Sequence, residues 1–424
     1  MKVVHLCKST DNGGFIAAWR LHQALVAAGI DSRMVVRERN GNDAPGLVAF
    51  DDSRMWWFWF RVRGALSRFL HRILLGKGAI REFYLQWIPT FIPQAVRRRL
   101  APDILHVHAA DDGLWSLWEL SKWPDPIVWT FHAYRDFSQG YIYLAHRLDE
   151  WVEAGRQGSL HDRDKRLVAG MNLSLKKKLM SGRKDICIAP SAHVHRAGRI
   201  SGVFDGSQHQ VVRNCVPLDY FRAIGREEWR VARGIEESAF VVLAGAHSLE
   251  YLIKGFDLLV AAILGDAEEF RSASVTVVLF GGGRVPDELQ AAVRVIELGY
   301  LDEEGLRAAY SGADLLVIPS REDNFPNVIV EALACGLPYV GFDAGGVGEM
   351  AAEDHMVGET VPAYDTARLA KAILDRAVGS LEKRLQSREA ARAVAEANCD
   401  PVKVAAQHIS LYESLLARRS TPSS

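Results

Sequence analysis

Short β-branched segments alternate with helical patterns along this chain, and the alternation begins twice. In the first half, the segments with strand character are 2–7, 33–36, 104–107, 127–130 and 186–189. After a polar, glycine-containing stretch near 198–210, they recur at 240–244, 275–280, 315–318 and 339–342, with helical patterns between them at 256–263, 286–292, 303–311 and 327–334. Strands that alternate with helices build parallel sheets covered by helices, so we predict an α/β protein made of two doubly wound, Rossmann-like domains.

The length of the chain agrees with a division into two. At 424 residues it exceeds one ordinary domain, since about 150 residues per domain is typical. We predict an N-terminal domain over residues 1–205, a second domain over 206–398, and a C-terminal helix within 399–424 that packs back on the first domain before a flexible tail. Ligands of such sheets bind beyond the carboxyl ends of the strands, so we expect the two domains to face each other across a cleft that holds the site.

Composition excludes several classes of protein. The 51 basic and 52 acidic residues leave a net charge of -1, so no overall field attracts nucleic acid. The five cysteines are scattered without a CxxC pair or metal-ligand spacing, which indicates reduced thiols packed in the core. No uncharged apolar stretch approaches the length of about 18 residues that a membrane span needs, and the N-terminal apolar run is too short for a signal peptide. These features predict a cytoplasmic protein.

Residues 54–99 depart from this average. Ten basic residues accompany a single acid, Glu82, and aromatic side chains are interleaved with them. Such a mixture is typical of an amphipathic segment that lies on an anionic membrane, which would make the protein peripheral to the inner face of that membrane. The same residues also suit helices whose aromatic side chains pack inward while the arginines stay solvated. The sequence leaves both alternatives open.

The residues best suited to chemistry lie in PSREDNFPNVIVEALACG, residues 319–336. A predicted strand leads into an acidic loop, and a helix is expected to begin near Pro326, because proline is favoured in a first helical turn. Asp323 and Glu331 lie on the loop and about one turn into the helix, respectively. The free N–H groups of a helix start hold anions, and carboxylates accept hydrogen bonds from hydroxyls. A ligand with both phosphate and sugar hydroxyls would satisfy this arrangement.

A lysine precedes a second predicted helix in HSLEYLIKGFDLL, residues 247–259. Lys254 is followed by Gly255, and a cation beside a helix start is a suitable partner for a diphosphate. Two other segments are less informative. LFGGGR at 279–284 follows a predicted strand but lacks the GxGxxG spacing of a dinucleotide fingerprint. The three lysines at 176–178 indicate a solvated helix face.

Taken together, these segments resemble the retaining nucleotide-sugar glycosyltransferases of family 4. The likeness covers most of the chain and rests on GGFIAAWRLHQALVAAGIDS, PDILHVH, IVWTFHAY, VVRNCVPLDYF, KGFDLL and LGYLDEEGLRAAYSGADLLVIPSREDNFPNVIVEALACGLPYVGFDAGGVGE. The variant EDNFPN is similar to bacterial enzymes that build O-antigen, colanic acid and other exopolysaccharides. The resemblance implies the GT-B fold and a transferase that acts on a nucleoside-diphosphate sugar.

The resemblance also implies which residues bind the donor. The implied donor-binding residues are Gly13, Gly14, Lys254, Gly282, Glu322, Asp323, Asn324, Phe325, Asn327 and Glu331. Asp323 stands where the family usually has glutamate, and the neighbouring Glu322 could reach the sugar in its place. By the same resemblance, Glu331 would bind the ribose and Lys254 the diphosphate, while the two N-terminal glycines would approach the diphosphate from the other domain.

A histidine of the family, which faces the donor sugar, corresponds to His132 in TFHAY, where Ala133 replaces the usual acid. The implied catalytic residues are therefore His132, Lys254 and Asp323. The implied acceptor-binding residues are His108 and Tyr134. The cysteine-free loop at 137–157 is also expected to contact the acceptor.

Transfer is expected to need no metal and no cofactor besides the nucleotide sugar. No Asp-x-Asp motif stands at a predicted strand end, and Lys254 with a helix start could neutralise the departing diphosphate. Arg284 or Arg321 is expected to supply a second cation. The hydroxyl of a glycan or lipid-linked saccharide acceptor would attack from the leaving-group face with retention, and its proton would pass to a diphosphate oxygen.

Two other functions use the same architecture. A nucleotide-sugar 2-epimerase also binds a sugar nucleotide, although the acid pair and Lys254 match the transferase motif at each position. A catalytically silent glycan- or nucleotide-binding protein is the second alternative, because Asp323 and Ala133 replace the usual residues. Release of nucleoside diphosphate from a sugar donor would distinguish the transferase from both.

Overall fold

Two compact units make up the chain. The computed structural model describes residues 1–7, 13–37, 44–49, 54–75, 87–108, 115–138 and 163–420. The first unit contains residues 1–214 and 401–424, and the second contains residues 215–400. Each unit has its own sheet, and all the strand pairs in both sheets are parallel. The predicted pair of doubly wound α/β domains is thereby confirmed for each unit.

The first unit is built on seven strands. They are β1 (Lys2–Leu6), β2 (Asp31–Val36), β3 (Leu47–Ala49), β4 (Ile104–His108), β5 (Val128–Thr130), β6 (Ile186–Ala189) and β7 (Gln208–Val211). Their order in the sheet is β3-β2-β1-β4-β5-β6-β7. The described helices of this unit are Gly13–Ala27, Arg54–Leu75, Ile92–Leu100, Leu117–Ser121, Arg163–Met180, Ala192–Ser201 and Pro401–Ser420, with a 3-10 turn at Tyr134–Asp136. The order reverses between β1 and β4, which places the topological switch point at the carboxyl ends of these two strands.

The second unit repeats this plan with six strands. They are β8 (Phe240–Ser248), β9 (Val275–Gly282), β10 (Arg294–Gly299), β11 (Leu315–Ile318), β12 (Tyr339–Phe342) and β13 (Gly358–Val361), in the order β10-β9-β8-β11-β12-β13. The helices are Arg226–Val231, Phe256–Gly265, Ala267–Ser272, Asp287–Ala292, Glu303–Gly312, Asn327–Ala334, Thr366–Ala377 and Leu381–Asn398, with 3-10 turns at Leu252–Lys254 and Val347–Glu349. The switch point of this sheet lies between β8 and β11.

Both faces of the second sheet are buried. Along β8, Val241 and Leu243 enter one hydrophobic cluster, and Val242 and Ala244 enter another. Side chains of consecutive strand residues point to opposite faces, so these two clusters lie on the two sides of the sheet. Burial on both faces explains why the central strands are continuous apolar runs in the sequence.

The four strands that sequence patterns did not predict are the four sheet edges. All nine predicted strands are present, whereas β3, β7, β10 and β13 are additional and terminate the two sheets. An edge strand pairs on one side only and has fewer apolar contacts. The polar sequence QHQV of β7 illustrates this, as does β10, in which no side chain is fully buried. A short segment with polar residues among its apolar ones carries little local strand signal.

The missed edge strand β7 also moves the domain boundary. The boundary expected after residue 205 lies instead after Asn214, because β7 pairs with β6 in the first sheet, with Ile186 opposite Gln208. The C-terminal helix Pro401–Ser420 belongs to the first unit. There the Arg418 guanidinium donates to Gln208 Oε1 at 2.5 Å.

Two smaller expectations have different outcomes. All five cysteines are buried thiols, as expected for core residues. The lysine run at 176–178 was expected to be solvated, but Lys176 is buried on the inner face of helix Arg163–Met180. Its ammonium donates to the Arg135 carbonyl oxygen, which compensates part of the desolvation of the buried charge.

None of the described helices is both long enough and apolar enough to cross a membrane.

Candidate functional site

The turn that carries Lys254 packs directly against the loop that follows β11. Lys254 ends the 3-10 turn Leu252–Lys254 after β8, and Gly255 then begins the helix Phe256–Gly265 with φ of +67°. A Cβ at Gly255 would lie 1.8 Å from the carbonyl oxygen of Pro319. The Lys-Gly pair therefore has a structural reason: only glycine permits this close approach, which puts the lysine at the switch point of the sheet.

Lys254 and Asp323, two of the implied catalytic residues, contact each other. The Lys254 Nζ lies 2.6 Å from Asp323 Oδ2, and the two side chains are 28% and 14% exposed. The pair thus remains accessible to a ligand while each charge neutralises the other. An incoming diphosphate would compete with the carboxylate for the ammonium.

Arg321 fixes the position of the lysine turn. Its guanidinium makes a two-pronged ion pair with Asp257, at 2.7 and 2.6 Å, and also donates to the Leu252 carbonyl oxygen at 2.7 Å. The same contacts with Arg321 hold the pKa of Asp257 below its usual value. Because its charge is already compensated, Arg321 acts as a clamp between two loops rather than as a free cation.

The other residue expected as a second cation, Arg284, lies in the loop after β9. Its side chain is 80% exposed and faces Asp287 at 3.3 Å. Neither expected arginine therefore stands as an uncompensated cation beside Lys254 within the described residues.

The loop from Glu322 to Phe325 is held by a pair of glycines after β12. The Gly346 N–H donates to the Asp323 carbonyl oxygen at 2.8 Å, and Gly345, with φ of +77°, would place a Cβ 2.1 Å from that oxygen. This contact leaves Glu322, Asn324 and Phe325 buried, at 4%, 6% and 6% exposure. Sequence reasoning did not identify the two glycines as part of the site, although their position directly after a predicted strand was a usable signal.

Glu331 lies inside the helix that follows this loop. The helix Asn327–Ala334 begins after Pro326, as expected, and Asn327 occupies its first turn. The buried Glu331 carboxylate accepts a hydrogen bond at 2.9 Å from the hydroxyl of Tyr310, which is itself fully buried. No sequence pattern indicated Tyr310. Burial, reinforced by the Glu331 charge, raises the pKa of the Cys335 thiol to about 12, so this thiol is not a nucleophile.

The glycines at the end of β9 permit the close approach of β8 and β9. Gly281 has φ of +103°, and a Cβ there would lie 1.7 Å from the Ala246 carbonyl oxygen. The Gly282 carbonyl oxygen accepts from the Leu249 N–H at 2.8 Å, and a Cβ on Gly282 would meet the Tyr300 hydroxyl at 2.2 Å. These contacts give LFGGGR a packing role. A donor contact at Gly282 stays a prediction.

In the first unit, the corresponding strand ends carry histidines. His5 lies on β1, His106 and His108 lie on β4, and His132 follows β5. His108 Nδ1 is 3.1 Å from His132 Nε2, and His108 Nε2 is 2.9 Å from His5 Nδ1. The sequence suggested His132 and His108 but not His5, because only the structure shows that β1 pairs with β4 and brings His5 beside His108.

His106 is hydrogen-bonded to hydroxyl groups and not to these histidines. Its Nε2 lies 2.7 Å from the Thr130 hydroxyl, and its Nδ1 lies 2.8 Å from the hydroxyl of Tyr412 on the C-terminal helix. His408, on the same helix, lies with its ring 5.8 Å from that of His106.

Burial keeps the rings of this cluster neutral. Desolvation is the main cause that lowers the pKa of His132 and His408 to about 4, and the pKa values of His5, His106 and His108 well below the usual value. Neutral imidazoles are the form that binds metals, and single ligand atoms of His5, His106 and His108 lie within 4.8 Å of one another. However, His5 and His108 are hydrogen-bonded directly, and both nitrogens of His106 face hydroxyls. A metal would have to displace these bonds.

The remaining sequence-predicted residues of the first unit lie in the core, in a helix or outside the described residues. Tyr134, expected near the acceptor, is fully buried, with its ring 5.7 Å from Phe137 and 6.1 Å from His193, so its place is in the core. Gly13 and Gly14 form the first turn of helix Gly13–Ala27. Most of the loop expected to contact the acceptor, from residue 139 onward, lies outside the described residues.

Comparison with known proteins identifies the second unit. Residues 239–377 match the family described as Glycosyl transferases group 1. This match lies within the second unit and includes both Lys254 and Asp323. A protein named D-inositol 3-phosphate glycosyltransferase, from Mycobacterium marinum, is 26% identical over 303 residues, which are 68% of this chain and 59% of that protein. The match thus spans less than two thirds of that relative.

Solved structures share the fold over nearly the whole chain. A sucrose-phosphate synthase from Thermosynechococcus elongatus has a TM-score of 0.70 at 20% identity, covering 99% of this chain and 100% of that one. Anabaena HepE in complex with UDP and glucose has a TM-score of 0.65 at 18% identity, covering 98% and 100%. The two parallel sheets of this chain accordingly match those of GT-B glycosyltransferases, the fold that the motifs implied.

Proposed function

We propose that this protein is a retaining glycosyltransferase of family 4 that moves a sugar from a nucleoside-diphosphate sugar to a hydroxyl of a glycan or lipid-linked saccharide. Its pathway would be the synthesis of a bacterial surface polysaccharide, to which the EDNFPN variant is similar. The observation that carries the proposal is the contact of Lys254 with Asp323 at the switch point of a glycosyl transferases group 1 domain. A partly exposed cation and carboxylate lie there, where parallel-sheet proteins bind ligands.

The donor would bind along the carboxyl ends of β8 and β11. Lys254 would neutralise the diphosphate, and the N–H groups at the start of helix Asn327–Ala334 would add to this effect. Glu331, oriented by Tyr310, would accept hydrogen bonds from the ribose hydroxyls. Asp323, released from the ammonium by the diphosphate, would accept from a hydroxyl of the sugar. Lys254 would then exchange the carboxylate for the diphosphate, and Asp323 would exchange the ammonium for a hydrogen bond from the sugar.

The reaction breaks the bond between the anomeric carbon and the oxygen of the β-phosphate. The departing diphosphate gains negative charge in the transition state. Lys254 and the helix N–H groups would therefore stabilise the transition state more strongly than they stabilise the bound donor. The acceptor oxygen forms the new bond on the same face of the sugar, and its proton passes to a diphosphate oxygen. These groups supply the charge stabilisation without a metal or a further cofactor, so we propose a metal-independent transfer.

The relatives support the class of substrate. The name of the Mycobacterium marinum protein states transfer of a glycosyl group to an inositol phosphate, and HepE was crystallised with UDP and glucose. Both names concern activated or transferred sugars, which is the chemistry that the Lys254 and Asp323 pair suits.

The test is release of nucleoside diphosphate from a panel of UDP-, GDP-, ADP- and TDP-sugars, with and without glycan acceptors. We expect one donor to be hydrolysed slowly, and Lys254→Met to reduce this turnover at least about 100-fold. Lys371→Met is the matched control, because Lys371 also lies 2.6 Å from an aspartate, Asp375, but on an exposed helix face far in sequence from the site motifs. Its turnover should equal that of the unchanged protein.

Three outcomes would count against the proposal. Equal turnover in the two lysine variants would refute the diphosphate role of Lys254. Donor binding by calorimetry without any turnover would favour the binding-protein alternative, and interconversion of the sugar at carbon 2 would favour an epimerase.

We also propose that helix Arg54–Leu75 docks this enzyme on the inner face of an anionic membrane. The helix leaves a stripe of large apolar side chains exposed to solvent, between 40% and 69% each: Met55, Phe58, Val62, Leu66, Phe69 and Ile73. Their spacing of three and four residues puts them on one helix face. Arg61, Arg68 and Arg72 are exposed on the same helix, whereas Trp56 packs into the core. Such a helix can bury its apolar stripe among acyl chains while its arginines meet lipid phosphates.

Cosedimentation with vesicles tests this docking. We expect pelleting with phosphatidylglycerol vesicles, little with phosphatidylcholine, and weaker pelleting after Arg61, Arg68 and Arg72 are changed to glutamine. Arg63 is left unchanged because it is buried and donates to the Ile88 carbonyl oxygen at 3.1 Å. Glutamine at Lys177, Lys178 and Lys184, also exposed in the first unit, removes the same charge as a control. Absence of pelleting at low salt would contradict the proposal.

A further inference from the structure

Three imidazoles form one hydrogen-bonded chain in the first unit. The chain runs from His132, which is partly exposed after β5, through His108 to His5, and the last two are buried. The two links are the 3.1 Å contact between His132 Nε2 and His108 Nδ1 and the 2.9 Å contact between His108 Nε2 and His5 Nδ1. Both nitrogens of His108 are therefore used by other imidazoles.

Such a chain couples the tautomers of its members. A neutral imidazole carries one N–H, so it donates through one nitrogen and accepts through the other. Burial holds these rings neutral, as the lowered pKa values of His132, His108 and His5 indicate. If His108 accepts from one neighbour, it must donate to the other. Once the proton of one ring is placed, the positions of the other two protons follow.

The buried end of the chain decides its direction. His5 Nε2 is buried and has no hydrogen-bond partner within the part of the chain that the structure describes. A buried N–H without an acceptor is rarer in proteins than a buried acceptor without a donor. His5 is therefore expected to leave Nε2 unprotonated and to donate from Nδ1 to His108 Nε2. His108 then donates from Nδ1 to His132 Nε2.

We propose that His108 and His5 are positioning residues that hold His132 in the tautomer with its proton on Nδ1. His132 Nε2 is occupied as an acceptor, so His132 would meet its ligand as a hydrogen-bond donor through Nδ1. The group it suits is an oxygen with lone pairs, such as a sugar hydroxyl, rather than a proton to be abstracted. This inference rests on the proposed function together with the family resemblance, which implies that His132 faces the donor sugar.

His106 serves as the internal control. Its ring lies 4.0 Å from that of His108, centroid to centroid, and it is equally buried, but its nitrogens bond to Thr130 and Tyr412 instead of the chain. A change at His106 removes a buried imidazole beside His108 and leaves both links of the chain intact. A change at His108 breaks both links.

The first arm of the experiment is long-range nitrogen NMR of the histidines in the full-length protein at pH 7, without substrate. We expect protonated Nδ1 and unprotonated Nε2 for His132, and the same state for His5 and His108. In His108→Phe, the nitrogen shifts of His132 should move toward those of an imidazole that exchanges between both tautomers in water. In His106→Gln, they should differ from those of the unchanged protein by less than one linewidth. A proton on Nε2 of His132 in the unchanged protein would overturn the proposal, as would a metal-bound nitrogen signal at His5 or His108. The unchanged protein suffices for both results, so they hold even if a variant fails to fold.

The second arm measures donor turnover. We expect His108→Phe to lower kcat at least about tenfold with little change in the donor KM, because a histidine in the wrong tautomer loses function while its binding surroundings persist. His106→Gln should keep kcat within about twofold. If His132→Gln retains full turnover, the proposed sugar-facing role of His132 fails, and the NMR result still decides the tautomer chain by itself. If folded His108→Phe keeps an unchanged kcat while His132→Gln loses most of its turnover, His108 does not position His132.

Discussion

The two switch points of this protein have the same topology and opposite electrostatics. At the carboxyl ends of β1 and β4, the side chains are buried neutral imidazoles linked to one another. At the carboxyl ends of β8 and β11, they are charged groups paired as Lys254 with Asp323 and Arg321 with Asp257, and each retains partial exposure. The comparison teaches that strand order fixes where a site forms, while burial decides which groups there can keep a charge.

The physical reason lies in the cost of desolvation. A histidine can lose its proton near neutral pH, so a buried cluster of histidines avoids the cost of charge by becoming neutral. Lysine and aspartate give up their charges only at extreme pH, so they persist at a site only when paired and in contact with water. The second switch point is thus suited to an anionic ligand, and the first to directional hydrogen bonds.

The largest expected effect comes from breaking the charged switch point at its closest contact. Gly255→Ala would drive a Cβ into the Pro319 carbonyl oxygen and would also strain a backbone with φ of +67°. We expect loss of detectable donor turnover and a loss of about 4 kcal/mol in the free energy of unfolding, measured by urea denaturation. Gly265→Ala, in the same helix and with no atom within 4 Å of the added Cβ, is the control and should leave turnover intact. Similar behaviour of the two variants would show that the close approach does not matter.

The second prediction concerns the opposite end of β11, where an ion pair stabilises the fold. Asp314 binds Arg226 and Arg230, each at 2.5 Å, and accepts from the Val241 N–H at 2.8 Å. Asp314→Ala would leave two arginines without their carboxylate, and we expect a loss of about 3 kcal/mol in the free energy of unfolding by urea denaturation.

Asp375→Ala is the matched control for Asp314→Ala, because its ion pair with Lys371 is exposed. It should leave the urea midpoint unchanged, since exposed pairs contribute little. An equally small effect at Asp314 would mean that its arginines find water or other acceptors.

The third prediction is that lowering the pH destabilises the histidine region before it affects the charged pairs of the second unit. His22 and His408 have pKa values of about 4 in the folded state, below the unfolded value of 6.5, so the unfolded chain binds more protons as the pH falls. Stability is therefore complete above pH 6.5 and is lost toward pH 4, by about 2 kcal/mol per imidazole at pH 5. The pKa of Asp257 is lowered from 3.8, so its pairing weakens only below that value.

Tryptophan fluorescence can follow this acid effect in the first unit. Of the eleven tryptophans, Trp229 lies in the second unit and the other ten in the first. We expect the melting temperature by fluorescence to fall between pH 6.5 and 5, and His408→Gln to reduce the fall. His355→Gln, which removes a histidine that is 92% exposed, should not change the fall. A melting temperature that is constant between pH 7 and 5 would contradict neutral burial of the imidazoles.

The smallest expected effect is at Glu331. Tyr310→Phe removes the 2.9 Å hydrogen bond that orients this carboxylate and keeps the shape of the ring. We expect a loss of about 1 kcal/mol in stability and a donor KM raised several-fold with kcat nearly unchanged, because the bond orients a binding group. Tyr300→Phe, at a tyrosine that is 67% exposed, provides the control. A fall in kcat with constant KM would assign Tyr310 to the chemical step instead.

Sequence patterns located the central strands of each sheet and the two motifs that carry Lys254 and Asp323. Central strands such as Leu315–Ile318 are continuous apolar runs, and the Lys254 and Asp323 motifs are local strings of residues. The edge strands were not predicted because an edge strand needs fewer apolar contacts. Since β7 is one of them, the boundary of the first unit lies after residue 214 instead of 205. Tyr310 and His5 escaped because a buried polar side chain in an apolar segment gives no sign of the partner it will meet.

Sequence by itself determined where helices and strands alternate, which strand ends carry Lys254, Asp323 and His132, and which family the motifs resemble. Those features depend on neighbours within a few residues, where periodicity and turn chemistry act. Only the tertiary structure decided which groups would pair, since Lys254 meets Asp323 across 69 residues and His106 meets Tyr412 across 306. It also decided which groups stay charged, because the desolvation that strips the imidazoles of their protons is set by how the whole unit packs around them.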